Sequence, residues 1–202
     1  MGGTAYLIVS ADGNILVDCP LWNPTTQALL DEHSGLRWLV LTHRGGMGNT
    51  THIRQIQEQY QCDVLVQEQE AYLLPEVSVT TFQQDTWLSA QTRVLWTPGH
   101  SPGSSCLYHQ TDGGILFTGR HLLPDQNGRL IPLRVPKTFH WFRQLRSVQR
   151  LLNEFTPDTL TIGCPGANTG FLRQQRVVRN VYSQLEQLDL ADYRTLQPEP
   201  FP

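Results

Sequence analysis

Hydrophobic positions along this chain fall mostly into short runs separated by turn residues. Tyr6–Val9 and Ile15–Val17 flank Ala11-Asp12-Gly13-Asn14, and Asp-Gly between two such runs predicts a β-hairpin. Asn23 followed by Pro24 marks the start of a short helix over 25–32. Trp38–Leu41 reads as a buried strand that delivers Thr42 and His43 at its C-terminal end. His52, Ile53, Ile56 and Tyr60 form one stripe of a helix over 50–60, and 64–66 is a further strand. Strands follow over 86–89, 93–97, 105–109 and 115–118. The clearest amphipathic helix spans 139–155, with Phe142, Leu145, Val148, Leu152 and Phe155 on one face and Arg143, Arg146 and Arg150 away from it. Residues 159–162 predict a strand, 170–188 a final helix, and 197–202 a Pro-rich, frayed tail. Glu68–Pro75 reads as a short surface helix without chemistry, and Trp87, Trp96 and Trp141 as core residues.

Strands and helices alternate in clumps, which predicts an α/β or α+β domain. At 202 residues the chain is long enough for one domain with a substantial core, here about 6–188, and it carries no repeat or internal linker. A net charge of −3 gives no general attraction to nucleic acid or anionic membrane, so neither is expected as a partner. No apolar run approaches the roughly 20 residues that span a bilayer, and the start lacks the basic region of a signal peptide. Cys19, Cys62, Cys106 and Cys164 are widely spaced and read as reduced thiols of a cytoplasmic protein.

Four segments carry the candidate chemistry. They are Leu41-Thr42-His43-Arg44-Gly45-Gly46, Thr97-Pro98-Gly99-His100-Ser101-Pro102-Gly103-Ser104, Leu116-Phe117-Thr118-Gly119-Arg120-His121 and Cys164-Pro165-Gly166-Ala167-Asn168. In this order and spacing they resemble the metallo-β-lactamase superfamily, including its glyoxalase II-like members, and within it a subgroup found in cyanobacteria and plastids. The resemblance implies an αββα sandwich, here with the first N-terminal strand lost or truncated and a sheet edge left open.

The superfamily's first motif reads His-x-His-x-Asp-His and supplies ligands for two adjacent metal ions. An ungapped match sets His43 on the first histidine and Gly45, Met47 and Gly48 on the other ligands; a gapped match through Arg44-Gly45-Gly46 loses the cluster as well. His100 keeps the second motif. Arg120 stands where a bridging aspartate is usual, and Ala167 where the last histidine is usual. Of seven ligand positions two remain, His43 and His100. Two imidazoles fall short of the three or four ligands zinc needs, so no metal cofactor is expected. The alternative is one zinc or iron ion on His43, His100 and a recruited Cys164 or His121.

Arg120 would place a fixed positive charge in the vacated space. With His43, Arg44, His100, Cys164 and Asn168 it forms a candidate pocket for a small anionic ligand, since guanidinium groups bind carboxylate or phosphate bidentately. Equally, Arg120 could pair with Asp18 and merely fill the space. Cys164 with His100, oriented by Asn168, is the candidate catalytic pair if hydrolysis persists without metal. The glycine-rich 163–170 segment could cradle an anion at the start of the last helix. Arg143, Arg146 and Arg150, with Arg173, Arg176 and Arg179, form either a solvated face or a surface for an acidic protein partner. The expected role is therefore small-anion binding or protein interaction on a degenerate metal site, with residual thioester or ester hydrolysis at a mononuclear site as the alternative.

Overall fold

The computed structural model describes residues 3–167, 170–172 and 175–198. In chain order the elements are β1 (Tyr6–Ile8), β2 (Ile15–Val17), α1 (Pro24–Glu32), β3 (Trp38–Leu41), α2 (Thr50–Tyr60), β4 (Asp63–Gln67) and β5 (Val79–Phe82). There follow β6 (Thr86–Trp87), β7 (Thr92–Trp96), β8 (Ser105–His109), β9 (Ile115–Gly119), β10 (Leu123–Pro124) and β11 (Leu130–Ile131). The remainder is α3 (Trp141–Glu154), β12 (Ile162–Pro165), β13 (Val178–Arg179), α4 (Val181–Glu186) and α5 (Leu190–Tyr193). Two 3₁₀ turns, Arg44–Met47 and Glu68–Leu73, follow β3 and β4.

The first sheet has the order β1-β2-β3-β4-β5. Only its opening hairpin is antiparallel; β2 to β5 run parallel, with α1, α2 and the segment holding the Glu68–Leu73 turn as the three crossovers that parallel neighbours require. The second sheet has the order β13-β12-β9-β8-β7-β6. Side chains alternate along each strand, which sorts the apolar runs into three layers. Leu39, Leu41, Val64 and Val66 pack outward with Ile53 and Ile56 of α2. Val40, Leu65, Val94, Leu107 and Phe117 fill the space between the sheets. Leu95, Cys106 and Leu116 pack with Val148 and Leu151 of α3. With both faces covered, the central strands read as continuous apolar runs rather than alternating ones. The result is the expected αββα sandwich.

Helix starts follow the sequence signals: Asn23 caps α1 ahead of Pro24, and Asn49 caps α2. The expected hairpin is β1–β2, with β1 as an edge strand; Gly3 bridges to Ala167 beyond it. Three expectations change. The single helix over 170–188 is replaced: Gly170 has φ +90°, Val178–Arg179 pairs with β12, and left-handed Asn180 precedes the short α4. The apolar residues there fit helix spacing, but Val178 is taken up by the sheet. Trp87 is not core; it stands 58% exposed under the guanidinium of Arg93. Glu68–Leu73 is not a featureless surface turn, because Glu70 is 1% exposed. Among the described residues no helix is long and apolar enough to cross a membrane.

Candidate functional site

The C-terminal ends of β2, β3, β7, β9 and β12 carry Asp18, His43, His100, Arg120 and Ala167. In open α/β sheets this strand-end crevice is where ligands bind. Backbone bonds tie the loops together. The Ser105 amide donates to the Thr42 carbonyl across the two sheets, Cys19 N–H to Gly46, and Gly166 N–H to Gly119. Phe139 and His140 donate to the carbonyls of His100 and Gly99, which docks the start of α3 on the loop after β7. Gly99, at φ +152°, leaves no space for a Cβ, which would lie 2.3 Å from Cα of Gln144. Gly119 meets a similar limit: at φ +52° its Cβ would fall 2.4 Å from the Thr42 hydroxyl.

At the floor of the crevice, buried Asp18 accepts from the Thr42 amide and hydroxyl at 2.8 Å each. The Thr42 hydroxyl also lies 2.9 Å from Nδ1 of His43, whose ring faces that of His100 at 5.7 Å, edge to face. Burial pushes the Asp18 carboxyl up to about 7, against the opposing pull of Thr42 and Arg120. Burial likewise holds His43 well below its ordinary value, helped by His100 and Arg120. His100 is held at about 4 by burial and by Arg120 and Arg44, and His121 at about 3 by burial and His100. All three imidazoles are neutral at pH 7.

Arg120 lies above this floor. Its Cζ would be 3.3 Å from a Cβ on Gly45, and His43 Nε2 would be 2.9 Å from the same atom. No ion pair joins Arg120 to Asp18 or to another acid among the described residues, and its buried Nε has no hydrogen-bond partner. Arg44 differs, since its Nε donates to Glu70 Oε1 at 3.2 Å. The same carboxylate oxygen accepts from the Gly103 amide, and Oε2 is unpartnered. Further unpartnered buried atoms are His43 Nε2, both ring nitrogens of His121, and Ser101 Oγ. Buried polar atoms without protein partners are uncommon and mark places for a ligand or water.

Arg44, His100 and Arg120 open on one cavity of about 810 Å³, which Gly45, Met47, Thr50, Leu73, Val135, Pro136, Lys137 and Phe139 complete. His43 sits beneath it. Cys164 lies in the layer between the sheets with Val17 and Phe117, and burial pushes its thiol up to about 12. Among the described residues no hydrogen bond joins Cys164 to His100. Asn168 and Arg173, and with them part of the glycine-rich segment, lie outside the described residues. Glu70, Thr50, Lys137 and Phe139 were not singled out by sequence. The one available signal was for Glu70, three residues past the C-terminal end of a buried strand. Of the helix-face arginines, Arg150 pairs with Asp85 and Glu154 and Arg143 stacks on Trp96, while Arg146, Arg176 and Arg179 are exposed with no ion pair among the described residues.

The residues present do not fit a pair of metal ions. Gly45, Gly48 and Ala167 offer no side-chain donor, and Met47 only a soft thioether ill suited to zinc or iron beside oxygen and nitrogen ligands. A guanidinium repels cations where a bridging carboxylate would hold them. Among the described residues no group of three or more His, Cys, Asp or Glu side chains is placed to hold one.

Two facing sheets with outer helices and a strand-end pocket define the class. The chain belongs to the metallo-beta-lactamase superfamily, whose sequence profile matches residues 51–166, more than half of its length. Solved structures agree in fold. An archaeal superfamily protein from Sulfolobus tokodaii is 16% identical, with TM-score 0.64 over 96% of this chain and 81% of that one. TTHA1623, solved in a di-iron-bound form, is 20% identical, with TM-score 0.62 over 89% and 90%. A metallo-beta-lactamase from Staphylococcus aureus subsp. aureus COL is 16% identical, with TM-score 0.66 over 98% and 65%. No curated protein matches the chain.

Proposed function

We propose that this chain binds a small anionic ligand at the strand-end pocket, using Arg120 in place of metal ions on a degenerate superfamily site. The observation that carries this reading is Arg120 itself. It lines the cavity with a buried, unpartnered Nε and no acid paired to it, so its charge is available to a ligand. Arg44, oriented by Glu70, and exposed Lys137 add positive charge at the same opening. The neutral imidazole of His100 offers a hydrogen bond rather than a competing charge. A surface role toward an acidic protein draws less support, because on α3 Arg150 is neutralised by Asp85 and Glu154 and Arg143 lies over Trp96, which leaves Arg146 as that helix's exposed arginine without an ion pair among the described residues. Cys19, Cys62, Cys106 and Cys164 are all free thiols, which supports a cytoplasmic setting.

A second reading is residual ester or thioester hydrolysis at a site holding one zinc or iron ion. The unpartnered nitrogens of His43 and His121 favour it. Chelator-treated protein separates the two. The first reading expects acetate, phosphate and sulfonate probes to raise the melting temperature of chelated wild type and to have less effect on Arg120→Gln. Near-stoichiometric zinc or iron in untreated protein, with ester or thioester turnover that is lost on chelation, would establish the second.

A further inference from the structure

We infer that the ligand is an amphiphilic monocarboxylate, with its anionic head on Arg120 and an apolar body lying toward Phe139; this rests on the anion-binding reading above. The cavity lining is of two kinds. Arg120, Arg44 and His100 come from the loops at the strand ends. Met47, Leu73, Val135, Pro136 and Phe139 add apolar surface, and a ligand that was only a hydrophilic anion would leave these apolar walls wet. About 810 Å³ also exceeds what a phosphate or acetate fills. Phe139 is 54% exposed although the neighbouring backbone is fixed by its bond to the His100 carbonyl. An apolar ring held at the rim of a charged cavity gains burial when an apolar chain is laid against it.

Charge balance selects a monoanion. Arg44 is already matched by Glu70, and the unpartnered Oε2 of Glu70 would repel a second negative charge. That leaves Arg120, among the described residues, as the cation without an acid beside the strand ends, since Lys137 stands exposed at the rim where water screens its charge, and a carboxylate matches the planar fork of Arg120. Behind it, the Asp18 carboxyl is committed to Thr42 and does not reach ion-pair distance of the guanidinium.

Calorimetric titration of the full chain with acetate, hexanoate, octanoate, 1-octanol and inorganic phosphate tests this. Each added methylene is expected to tighten binding about fourfold. Octanoate should therefore bind roughly fifteenfold tighter than hexanoate, and far more tightly than phosphate or acetate. Octanol should bind at least about tenfold more weakly than octanoate, and Arg120→Gln should weaken octanoate to a similar degree. Phe139→Ser, an exposed position that leaves the fold intact, should reduce the gain with chain length. Arg120-dependent binding with no gain from acetate to octanoate would overturn this inference and leave the anion-binding reading standing. Octanol binding as tightly as octanoate, or no binding of any anion, would overturn both. The chain-length series on wild type decides the matter even if Arg120→Gln does not fold.

Discussion

Asp18 and Thr42 form a buried pair in which one carboxylate takes both the amide and the hydroxyl of the same threonine, at 2.8 Å each. The hydroxyl passes the contact on to His43 Nδ1 at 2.9 Å. Asp18 adopts φ +62°, a conformation few non-glycine residues take, and holds it beneath the turn that follows β3. Thr42→Val keeps the shape and removes the hydroxyl, leaving a buried carboxyl with one fewer donor. The expected loss is about 1–3 kcal/mol, measured as a lower urea midpoint at pH 7. A midpoint equal to wild type would mean that the hydroxyl does not hold Asp18.

Gly46 is confined by the same carboxylate. A Cβ there would lie 2.1 Å from Asp18 Oδ1, and that oxygen is pinned by Thr42. Gly46→Ala should therefore destabilise by roughly 1–3 kcal/mol as an overpacked site. Gly46→Ala in an Asp18→Ala background should recover part of that loss, because the clashing atoms are gone. Full additivity of the two changes would show that the clash is not with Asp18.

How much of this was readable beforehand depends on which forces fix each feature. The αββα layering follows from the apolar runs and turn residues once the motif resemblance supplies the sheet pairing. The strand-end positions of His43, His100 and Arg120 follow from motif order. By contrast, the buried role of Glu70 comes from tertiary contact with Arg44 and Gly103, and its place just past a buried strand is the one local hint of it. The helix expected over 170–188 failed for a related reason: Val178 satisfies helical spacing and strand pairing alike, and the free edge of β12 decides between them. Trp87 shows the limit of composition, since a two-residue edge strand leaves it no layer to enter.

Restoring ligand residues should not restore a metal hydrolase. In Gly45→His with Met47→Asp, the new imidazole starts from a Cβ 2.9 Å from His43 Nε2 and 3.3 Å from the Arg120 guanidinium carbon. On the ungapped match to the superfamily motifs, Gly48, Arg120 and Ala167 still stand at the other vacated ligand positions. The double variant is expected to bind no more zinc than wild type by elemental analysis and to show no zinc-dependent ester hydrolysis. Stoichiometric zinc with turnover would overturn the reading that Arg120 and Ala167 close the site to metal.

Cys164 should be inert as a nucleophile in the native state. Its thiol is buried between the sheets and pushed up to about 12, so little thiolate exists at pH 8. Iodoacetamide is expected to modify Cys164 only on unfolding, as read by peptide mass mapping with and without urea. Rapid native alkylation at Cys164 would revive the Cys/His pair as a catalytic candidate.

The buried titratable groups give stability a defined pH dependence. Asp18 has a native pKa of about 7 against an ordinary 3.8, so the folded state holds that proton more tightly. Its contribution is full below about pH 4 and is lost as pH rises through 7. The imidazoles run the other way. His100 at about 4, His121 at about 3 and His43 far below 6.5 all favour the neutral form in the fold. Their contribution is full above 6.5 and is lost as pH falls through those native values. Between pH 4 and 6.5 three imidazoles outweigh one carboxyl, so the urea midpoint should rise with pH over that window and level off near pH 7. Each proton difference corresponds to about 1.4 kcal/mol per pH unit. His121→Phe removes one of the three and an imidazole whose two nitrogens have no partner. It should flatten the acid arm by about one proton and leave stability at pH 7 equal or higher, because no hydrogen bond is lost. A steeper acid arm in the variant, or a large loss at pH 7, would mean that His121 has a bound partner in solution.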